Sequence, residues 1–438
     1  MKYHIWTEGC QMNVADSDRL GRALGSLGLE KTDDPAQAGM IILNTCVVRQ
    51  SAEDRALGRL NSLRPYKKAN PGLVIGLMGC LVGIHGNAAM EKRYPWVDIF
   101  AAPSDPEPFL RFLENRMTIE DSEAWRREVD AALDSEFGVT TDEQHTVSEN
   151  LPIVLGCSHA CAYCVIPGRR GKERSRDPQK ILNEAKVMVE HGAKELVLLG
   201  QIVDRYGLDL DNGVLLPQLL EQLSEIDGLE RIRFLTSHPS YMTMDLIDAV
   251  GRLPKVMPHI EVPVQAGDDE VLTAMRRGYT NQEYRDLVAE IRHRIPGVSI
   301  GTDIIVGFPG ESEAAFEQTY KILEDLKLDV AHLARYSPRP NTYSAKFLAD
   351  DVSPEEKMRR FRALEDLQKV VVGEINQKFL GQNEEVLFEG KSKDRWRGRT
   401  PTNRLVFVNS DENLYGQLRT VKINWAGPWS MLGELGSL

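Results

Sequence analysis

At 438 residues, 42% hydrophobic and 27% charged, the chain has material for roughly two to four domains, and its composition excludes collagen-like, disordered and disulfide-dense classes. A formal net charge of −12 excludes coating of nucleic acid by overall attraction but leaves room for a local basic face. The longest apolar run, 72–84, is broken by glycine and falls short of the about 20 residues that span a bilayer. Lys2 and Glu8 put charge where an export signal would be apolar, so a cytoplasmic protein with no membrane partner is expected. Six cysteines in a reducing compartment point to metal binding or catalysis rather than disulfides.

Three segments read as strands that each run into a cysteine: Tyr3 to Cys10, Met40 to Cys46 and Leu73 to Cys80. Between the first two lies a helix signature, with Asp16 and Ser17 as cap candidates, Leu20, Leu24 and Leu27 on one face and Gly28 as a stop. A lone cysteine is ordinarily a small buried hydrophobe. The strand-helix-strand rhythm predicts instead a doubly wound parallel sheet over 1–117, with Cys10, Cys46 and Cys80 along one carboxyl edge. From Asp105 to Asn150 the chain is acidic and poor in strand signals, which reads as a solvated helical linker centred on 118–146. Trp125-Arg126-Arg127 within it reads as an exposed helix face.

Over 147–376, apolar runs at 153–155, 196–199, 232–235, 260–264, 300–306 and 330–336 alternate with helix-period segments. The first helix shows its grammar plainly: Asp177 as cap, Pro178 at the first position, Ile181, Ala185 and Val189 on one face, then Gly192. Six such units predict a partial α/β barrel with its chemistry at the carboxyl ends of the strands. Cys157, Cys161 and Cys164 form a C-x3-C-x2-C loop after the first strand. Three thiolates on one iron–sulfur cubane leave one iron open, while a zinc site closed by His159 is the compact alternative. Gly200-Gln201, Ser237-His238, Gln265 and Gly307 to Glu311 end the following strands, where cofactor contact and tight barrel turns are both open. His238 reads either as a proton carrier or as a buried hydrogen-bonding residue.

The tail, 377–438, changes character. Runs at 386–389, 396–400, 404–408, 420–425 and 431–434, punctuated by Gly, Asn and Pro, predict a small five-stranded antiparallel barrel. Within it Arg395-Trp-Arg-Gly-Arg-Thr-Pro-Thr-Asn-Arg404 interleaves cations with an aromatic, a pattern suited to phosphate contact and base stacking, or to a solvated edge strand. A second basic cluster, Arg169 to Arg176, follows the cysteine loop and reads as a phosphate contact or a solvated charge run.

The C-x3-C-x2-C loop with Tyr163 before Cys164 resembles the radical S-adenosylmethionine superfamily. Gly9-Cys-Gln-Met-Asn13, Asn44-Thr-Cys46 and Gly79-Cys80 narrow the resemblance to its methylthiotransferase family, in the branch acting on tRNA. Arg174-Ser-Arg-Asp-Pro178, Thr236-Ser-His-Pro239, Pro263-Val-Gln265 and Asp303-Ile-Ile-Val-Gly-Phe-Pro-Gly-Glu311 extend it over nearly the whole chain. Glu8 and Ile202 depart from the branch's pattern. The resemblance implies a radical-SAM barrel, a TRAM-like tail, S-adenosylmethionine, and two 4Fe-4S clusters, one on Cys157, Cys161 and Cys164 and one on Cys10, Cys46 and Cys80. It places Tyr163, Gln201, Ser237 and Gln265 at S-adenosylmethionine, and Arg169, Arg170, Arg399, Asn403 and Arg404 at RNA. The implied reaction adds a methylthio group to carbon 2 of the isopentenylated adenosine beside a tRNA anticodon. A monomer acting on the anticodon stem-loop, with a separate electron donor and sulfur source, completes the expectation. Methylthiolation of a ribosomal-protein aspartate is the competing enzyme reading, and an iron–sulfur redox protein with an RNA-binding tail the non-enzymatic one.

Overall fold

The computed structural model describes residues 1–48, 50–85, 88–116, 127, 129–130 and 146–436. Two compact units emerge: Met1–Gln144, Asn150–Ala160 and Cys164–Arg174 in one, and His145–Glu149, Cys161–Tyr163 and Ser175–Leu438 in the other. Most of the expected linker at 118–146, with Trp125 and Arg126, lies outside the described residues.

The first unit contains β1 (Lys2–Thr7), α1 (Gln11–Ser26), β2 (Glu30–Lys31), β3 (Met40–Thr45), α2 (Gln50–Ala69), β4 (Val74–Gly79), α3 (Ala88–Arg93), β5 (Ile99–Ala101) and α4 (Glu107–Glu114). The sheet order is β2-β1-β3-β4-β5, and every pair is parallel. Strands β3 and β4 are buried at every residue, which their near-continuous apolar runs Met40-Ile-Ile-Leu and Val74-Ile-Gly-Leu-Met require of central strands covered on both faces. Leu20 and Leu24 of α1 and Phe109 and Leu110 of α4 pack on one face, and Leu60 and Leu63 of α2 on the other. The sheet is therefore doubly wound, as its sequence rhythm predicts, and the strand order reverses between β1 and β3.

Two expectations fail here. Helix α1 begins at Gln11 with Cys10 as its N-cap, so Asp16 and Ser17 are interior residues, buried rather than capping. Nor is the stretch after Asp105 a solvated linker throughout: α4 sinks Phe109, Leu110 and Leu113 into the core, joined by Val129. Arg111 of the same helix pairs with Glu107 and Glu114 and with Asp130 beyond it.

The chain then runs through β6 (Ser148–Pro152), β7 (Val154–Leu155), α5 (Ile166–Arg170) and β8 (Arg174–Ser175). Strand β6 lies before the expected run at 153–155. Beyond it the second unit alternates α6 (Pro178–Glu190), β9 (Glu195–Leu199), α7 (Leu216–Ser224), β10 (Arg231–Leu235), α8 (Met244–Arg252), β11 (His259–Glu261), α9 (Asp269–Ala274), α10 (Asn281–Arg294), β12 (Ser299–Val306), α11 (Glu313–Leu326) and β13 (Val330–Arg335). These strands follow chain order and pair in parallel as β9 with β10 and as β11-β12-β13. Ser237 N–H donates to the Glu261 carbonyl at 3.2 Å and joins the two groups. The alternation of parallel strands and helices is that of the expected partial α/β barrel. Asp177 caps α6 by accepting from Gln179 and Lys180, and Met188 rather than Val189 completes its buried stripe with Ile181 and Ala185.

After α12 (Tyr343–Phe347), the 24-residue α13 (Pro354–Gln377) leads into β14 (Asn383–Ser392), β15 (Arg395–Arg399), β16 (Leu405–Val408), β17 (Leu418–Ala426) and β18 (Met431–Leu435). They close as β14-β15-β16-β18-β17, antiparallel except for the parallel pair β16–β18. Val386, Phe388, Trp396 and Val406 fill the barrel. Two buried arginines of β10 dock it: Arg231 donates to the Arg399 carbonyl at 2.7 Å, and Arg233 to the carbonyls of Thr400 and Pro401 at 2.8 Å each. Among the described residues no helix is long and apolar enough to cross a membrane.

Candidate functional site

The first site lies at the carboxyl edge of the N-terminal sheet. Cys10 follows β1, Cys46 follows β3 and Cys80 follows β4, so the first two flank the reversal of strand order where such sheets hold ligands. Cys46 and Cys80 are buried and Cys10 is exposed. Gly9 and Gly79 have φ of +132° and +95°, and neither position has room for a side chain. A Cβ on Gly9 would lie 2.7 Å from the Cys46 Cβ, and one on Gly79 would lie 2.5 Å from both Asn44 Oδ1 and the Thr45 carbonyl.

Buried polar side chains knit the edge together. The Asn13 amide donates to Asn44 Oδ1 and the Thr45 carbonyl, each at 2.9 Å, and the Asn44 amide returns to the Asn13 carbonyl at 2.7 Å and Ser17 Oγ at 3.0 Å. Asn13 Oδ1 accepts from the Cys10 thiol at 3.3 Å and from Arg170 Nη2 at 3.2 Å. Arg170 also pairs with Asp16 at 2.9 Å, with side chains 2% and 3% exposed. Burial pushes the Cys80 thiol up to about 11; Arg170 opposes the rise, and Cys46 and Cys10 lie close enough to add to it. Burial also works against the Arg170 charge, but Asp16, Cys80 and Cys10 outweigh it and raise its pKa.

The second set divides between the units. Cys157, in the first, accepts a hydrogen bond from the His159 N–H at 3.4 Å, and its own N–H donates to the Gly171 carbonyl at 3.0 Å. Cys161, in the second, is met by the buried Arg277, whose Nη1 donates to its sulfur at 3.2 Å. Arg277 Nε donates to the Tyr279 hydroxyl at 3.0 Å, and that hydroxyl reaches the carbonyls of Pro263 and Val264. Burial disfavours the Arg277 charge, yet Tyr163, Tyr279 and Cys161 hold its pKa above the ordinary value. Ala162 is pinned between the Met275 carbonyl and the Ser344 N–H, and Tyr163 packs edge-on against Phe308.

Gln201, Ser237 and Gln265 all follow strands of the second unit at the carboxyl edge. Ser237 is buried and its Oγ has no hydrogen-bond partner; Gln265 is held at φ +72°, a strained value for a non-glycine residue. An open hydroxyl and backbone strain at a strand edge suit a polar cofactor. The donor chemistry of the cysteines suits iron–sulfur clusters: thiolate sulfurs, two of them also accepting backbone N–H groups, at Cys157 and, from Val48, at Cys46. Among the described residues no three Cys, His, Asp or Glu side chains converge on the spacing of a single metal ion. A cubane holds its thiolates farther apart than one ion does.

Several residues expected at RNA are engaged elsewhere. Arg170 is buried at the first cysteine site, and Arg176 pairs with Glu184 under cover. Arg169 is half-buried, lies against Gly83 and reaches the Leu81 carbonyl, leaving Lys172 and Arg174 as the exposed cations of that cluster. Arg404 pairs with Asp329 and lies over Phe379, and Arg399 is tied to Asn403, which has φ +65°. Trp396 is no stacking platform: it is 6% exposed, in the barrel core, with its indole N–H on the Ser410 carbonyl. Arg395 and Arg397 are exposed on the same strand, as are Trp425 and Trp429 elsewhere on the barrel. Of the two departures, Glu8 pairs with Arg55 and Ile202 is buried. Sequence reasoning missed Arg277 and Tyr279; their only signal is the Arg276-Arg277-Gly278-Tyr279 run after α9.

Comparison with known proteins agrees with this division. The family model described as Radical SAM superfamily matches residues 151–323, and that described as Uncharacterized protein family UPF0004 matches residues 2–102. The chain is 45% identical over 437 residues to a tRNA-2-methylthio-N(6)-dimethylallyladenosine synthase of Roseiflexus sp., covering 99% of this chain and 89% of the relative. Its identity to the protein of the same name from Dehalococcoides mccartyi is 45% over 434 residues, covering 99% and 98%. The Clostridium beijerinckii protein of that name is 39% identical over 437 residues, covering 99% and 95%. Among solved structures, a radical S-adenosylmethionine methyltransferase, TsrM, from Kitasatospora setae, with cobalamin and a 4Fe-4S cluster bound, aligns with a TM-score of 0.53. At 13% identity, over 78% of this chain and 77% of that one, the likeness speaks for the fold.

Proposed function

Because the chain belongs to the tRNA-2-methylthio-N(6)-dimethylallyladenosine synthase family, we propose that it adds a methylthio group to carbon 2 of N6-isopentenyladenosine at tRNA position 37. One observation supports this most strongly: of two three-cysteine sets, one follows the parallel strands β1, β3 and β4 within the UPF0004 match, and the other forms the loop after β7 within the Radical SAM match. Carbon 2 of adenine is unactivated, so neither a nucleophilic side chain nor an acid–base pair replaces its hydrogen by sulfur. When bound, 4Fe-4S clusters and S-adenosylmethionine supply that chemistry, radical generation at Cys157, Cys161 and Cys164 and sulfur at Cys10, Cys46 and Cys80.

The chain's own residues hold and shield these groups. Arg277 donates to Cys161 and fixes Tyr279 against the Pro263–Val264 backbone. Ser237 Oγ, buried and without a partner, suits a hydrogen bond to a polar group of S-adenosylmethionine, with Tyr163, Gln201 and Gln265 as its further contacts. Burial of Cys46, Cys80 and Cys157 limits access of water to their sulfurs. Exposed Arg395 and Arg397, with Arg399 and Asn403 beside them, suit phosphate contact with the anticodon stem-loop. The enzyme acts in the cytoplasm as a monomer, drawing on a separate electron donor and sulfur source. Its domains run 1–117 for sulfur donation, 147–376 for the radical barrel and 377–438 for RNA, joined by 118–146.

The test is an anaerobic reaction of reconstituted protein with S-adenosylmethionine, reductant and isopentenylated tRNA, read by mass spectrometry of the digested nucleosides. The 2-methylthio nucleoside is expected. Cys157→Ala should abolish both 5′-deoxyadenosine and product, while Cys80→Ala should spare 5′-deoxyadenosine and abolish product. 5′-Deoxyadenosine without tRNA product in the parent protein would refute the substrate, and loss of cleavage in well-folded Cys80→Ala would refute the division of labour.

A further inference from the structure

Arg170 stands six positions after Cys164, yet its side chain belongs to the other cysteine set. It ends the short helix α5, and its terminal nitrogens are both engaged: Nη2 on Asp16 Oδ2 at 2.9 Å and Asn13 Oδ1 at 3.2 Å, Nη1 on Ser104 Oγ at 3.3 Å. Ser104 in turn donates to Asp16 Oδ1 at 2.6 Å, so the guanidinium is clamped from two sides. Asn13 and Asp16 both ride on α1, the helix that Cys10 caps, and Asn13 Oδ1 is shared between Arg170 and the Cys10 thiol. The clamp therefore fixes the guanidinium relative to the sulfurs as well as to its carboxylate.

One donor remains. The Nε–H of Arg170 is buried and meets no nitrogen or oxygen acceptor, and the one cysteine sulfur that the guanidinium bonds is that of Cys80. Buried donors are almost always satisfied, and a guanidinium held this rigidly cannot turn to another partner than the sulfur side it already faces. Asp16 already neutralises the charge, so the pair by itself gives no reason to bury an arginine here, where an apolar pair of similar volume would serve stability as well. A thiolate or sulfide sulfur of an occupied site is an acceptor of the right kind, and hydrogen bonds to cluster sulfurs raise a cluster's reduction potential by stabilising the more negative reduced state.

We propose that Arg170 is a positioning residue for the Cys10, Cys46 and Cys80 site, its Nε–H donating to a sulfur of the bound cluster and setting that cluster's redox poise. The inference rests on the reading of these cysteines as a cluster site. It also ties the two sets together through the chain, because the next residue, Gly171, accepts the N–H of Cys157.

The experiment uses the full chain with Cys157, Cys161 and Cys164 replaced by alanine, so that only the upstream site can load. In that background Arg170→Lys, Arg170→Met and the double variant Asp16→Asn with Arg170→Met are compared for apoprotein melting, iron and sulfide per chain, and EPR-monitored midpoint potential. Arg170→Met alone leaves Asp16 buried and unpaired and should melt earlier. The double variant removes that charge and should regain most of the melting temperature, while the reduced-to-oxidised ratio at a fixed poise stays about tenfold lower, a shift of about 59 mV to more negative potential. Arg170→Lys keeps the ion pair but has no Nε–H, and should show the same direction of shift in a well-folded protein. A merely structural arginine would give parental potentials in both the double variant and Arg170→Lys, and that result overturns the proposal. If the parental background loads no iron, the cluster reading itself falls and takes the proposal with it.

Discussion

Gly79 is the point where the first site is most sensitive to a single methyl group. In Gly79→Ala the new Cβ would meet Asn44 Oδ1 and the Thr45 carbonyl at 2.5 Å and the Thr45 N at 2.8 Å. Two of these are backbone atoms at the end of the central strand β3, which cannot swing aside as a side-chain tip could. The left-handed φ of +95° adds roughly 1–2 kcal/mol of backbone strain for any L-residue. Overpacking against fixed neighbours adds about 1–3 kcal/mol. Gly28, which ends the turn after α1, separates the two contributions: its φ is +77° and a Cβ placed there would meet nothing within 4 Å, so Gly28→Ala carries strain alone. The predicted difference between the variants is therefore the overpacking cost, about 1–3 kcal/mol. At about 2–4 °C per kcal/mol for a unit of this size, Gly79→Ala should melt about 2–12 °C below Gly28→Ala in the apoprotein. It should also displace Cys80, whose N–H bonds the Thr45 carbonyl at 2.9 Å, and so lose iron at the upstream site while 5′-deoxyadenosine formation persists. Equal melting temperatures and equal iron content for the two variants would refute the steric account.

Two further outcomes follow from contacts already described. Arg277→Met should leave Tyr279 on its two carbonyl acceptors and change apoprotein melting little, but it removes a charge-assisted bond to Cys161 of about 1.5–3 kcal/mol; S-adenosylmethionine cleavage should fall by about tenfold or more, and parental cleavage rates would contradict the role given to this arginine. On the C-terminal barrel, Arg395→Ala and Arg397→Ala should each weaken tRNA binding and reduce its logarithmic salt slope by about one, whereas Trp396→Ala should destabilise the barrel by about 3–5 kcal/mol; binding titrations at several salt concentrations beside melting curves distinguish the two classes.

Much of this architecture is legible in the chain because its signals are local. The apolar runs ending at Cys10, Cys46 and Cys80 mark strands whose carboxyl ends must share an edge once the crossovers are right-handed, and the Asp177-Pro178 start of α6 is written in adjacent residues. The misreadings share the opposite property. Asp16 and Ser17 look like caps because their chemistry favours helix starts, but their partners are Arg170, 154 residues away, and Asn44, 27 residues away. Trp396 between arginines looks like a stacking surface, yet strand alternation turns it inward and the arginines outward. Phe109, Leu110 and Leu113 show a helical apolar stripe that the acidic composition around them obscures.

The docking of the barrel on β10 has a mechanical consequence. Arg231 and Arg233 are fully buried and grip consecutive carbonyls at 399–401, the turn that carries Arg399 and leads to Asn403. The same strand, five residues long, ends one residue short of Thr236 and two short of Ser237. The turn at 399–401 is thereby held at a fixed distance from the far end of β10, like one jaw of a caliper from the other. The barrel cannot tilt without costing Arg231 and Arg233 the carbonyl acceptors of 399–401, although Arg233 keeps its ion pair with Glu195.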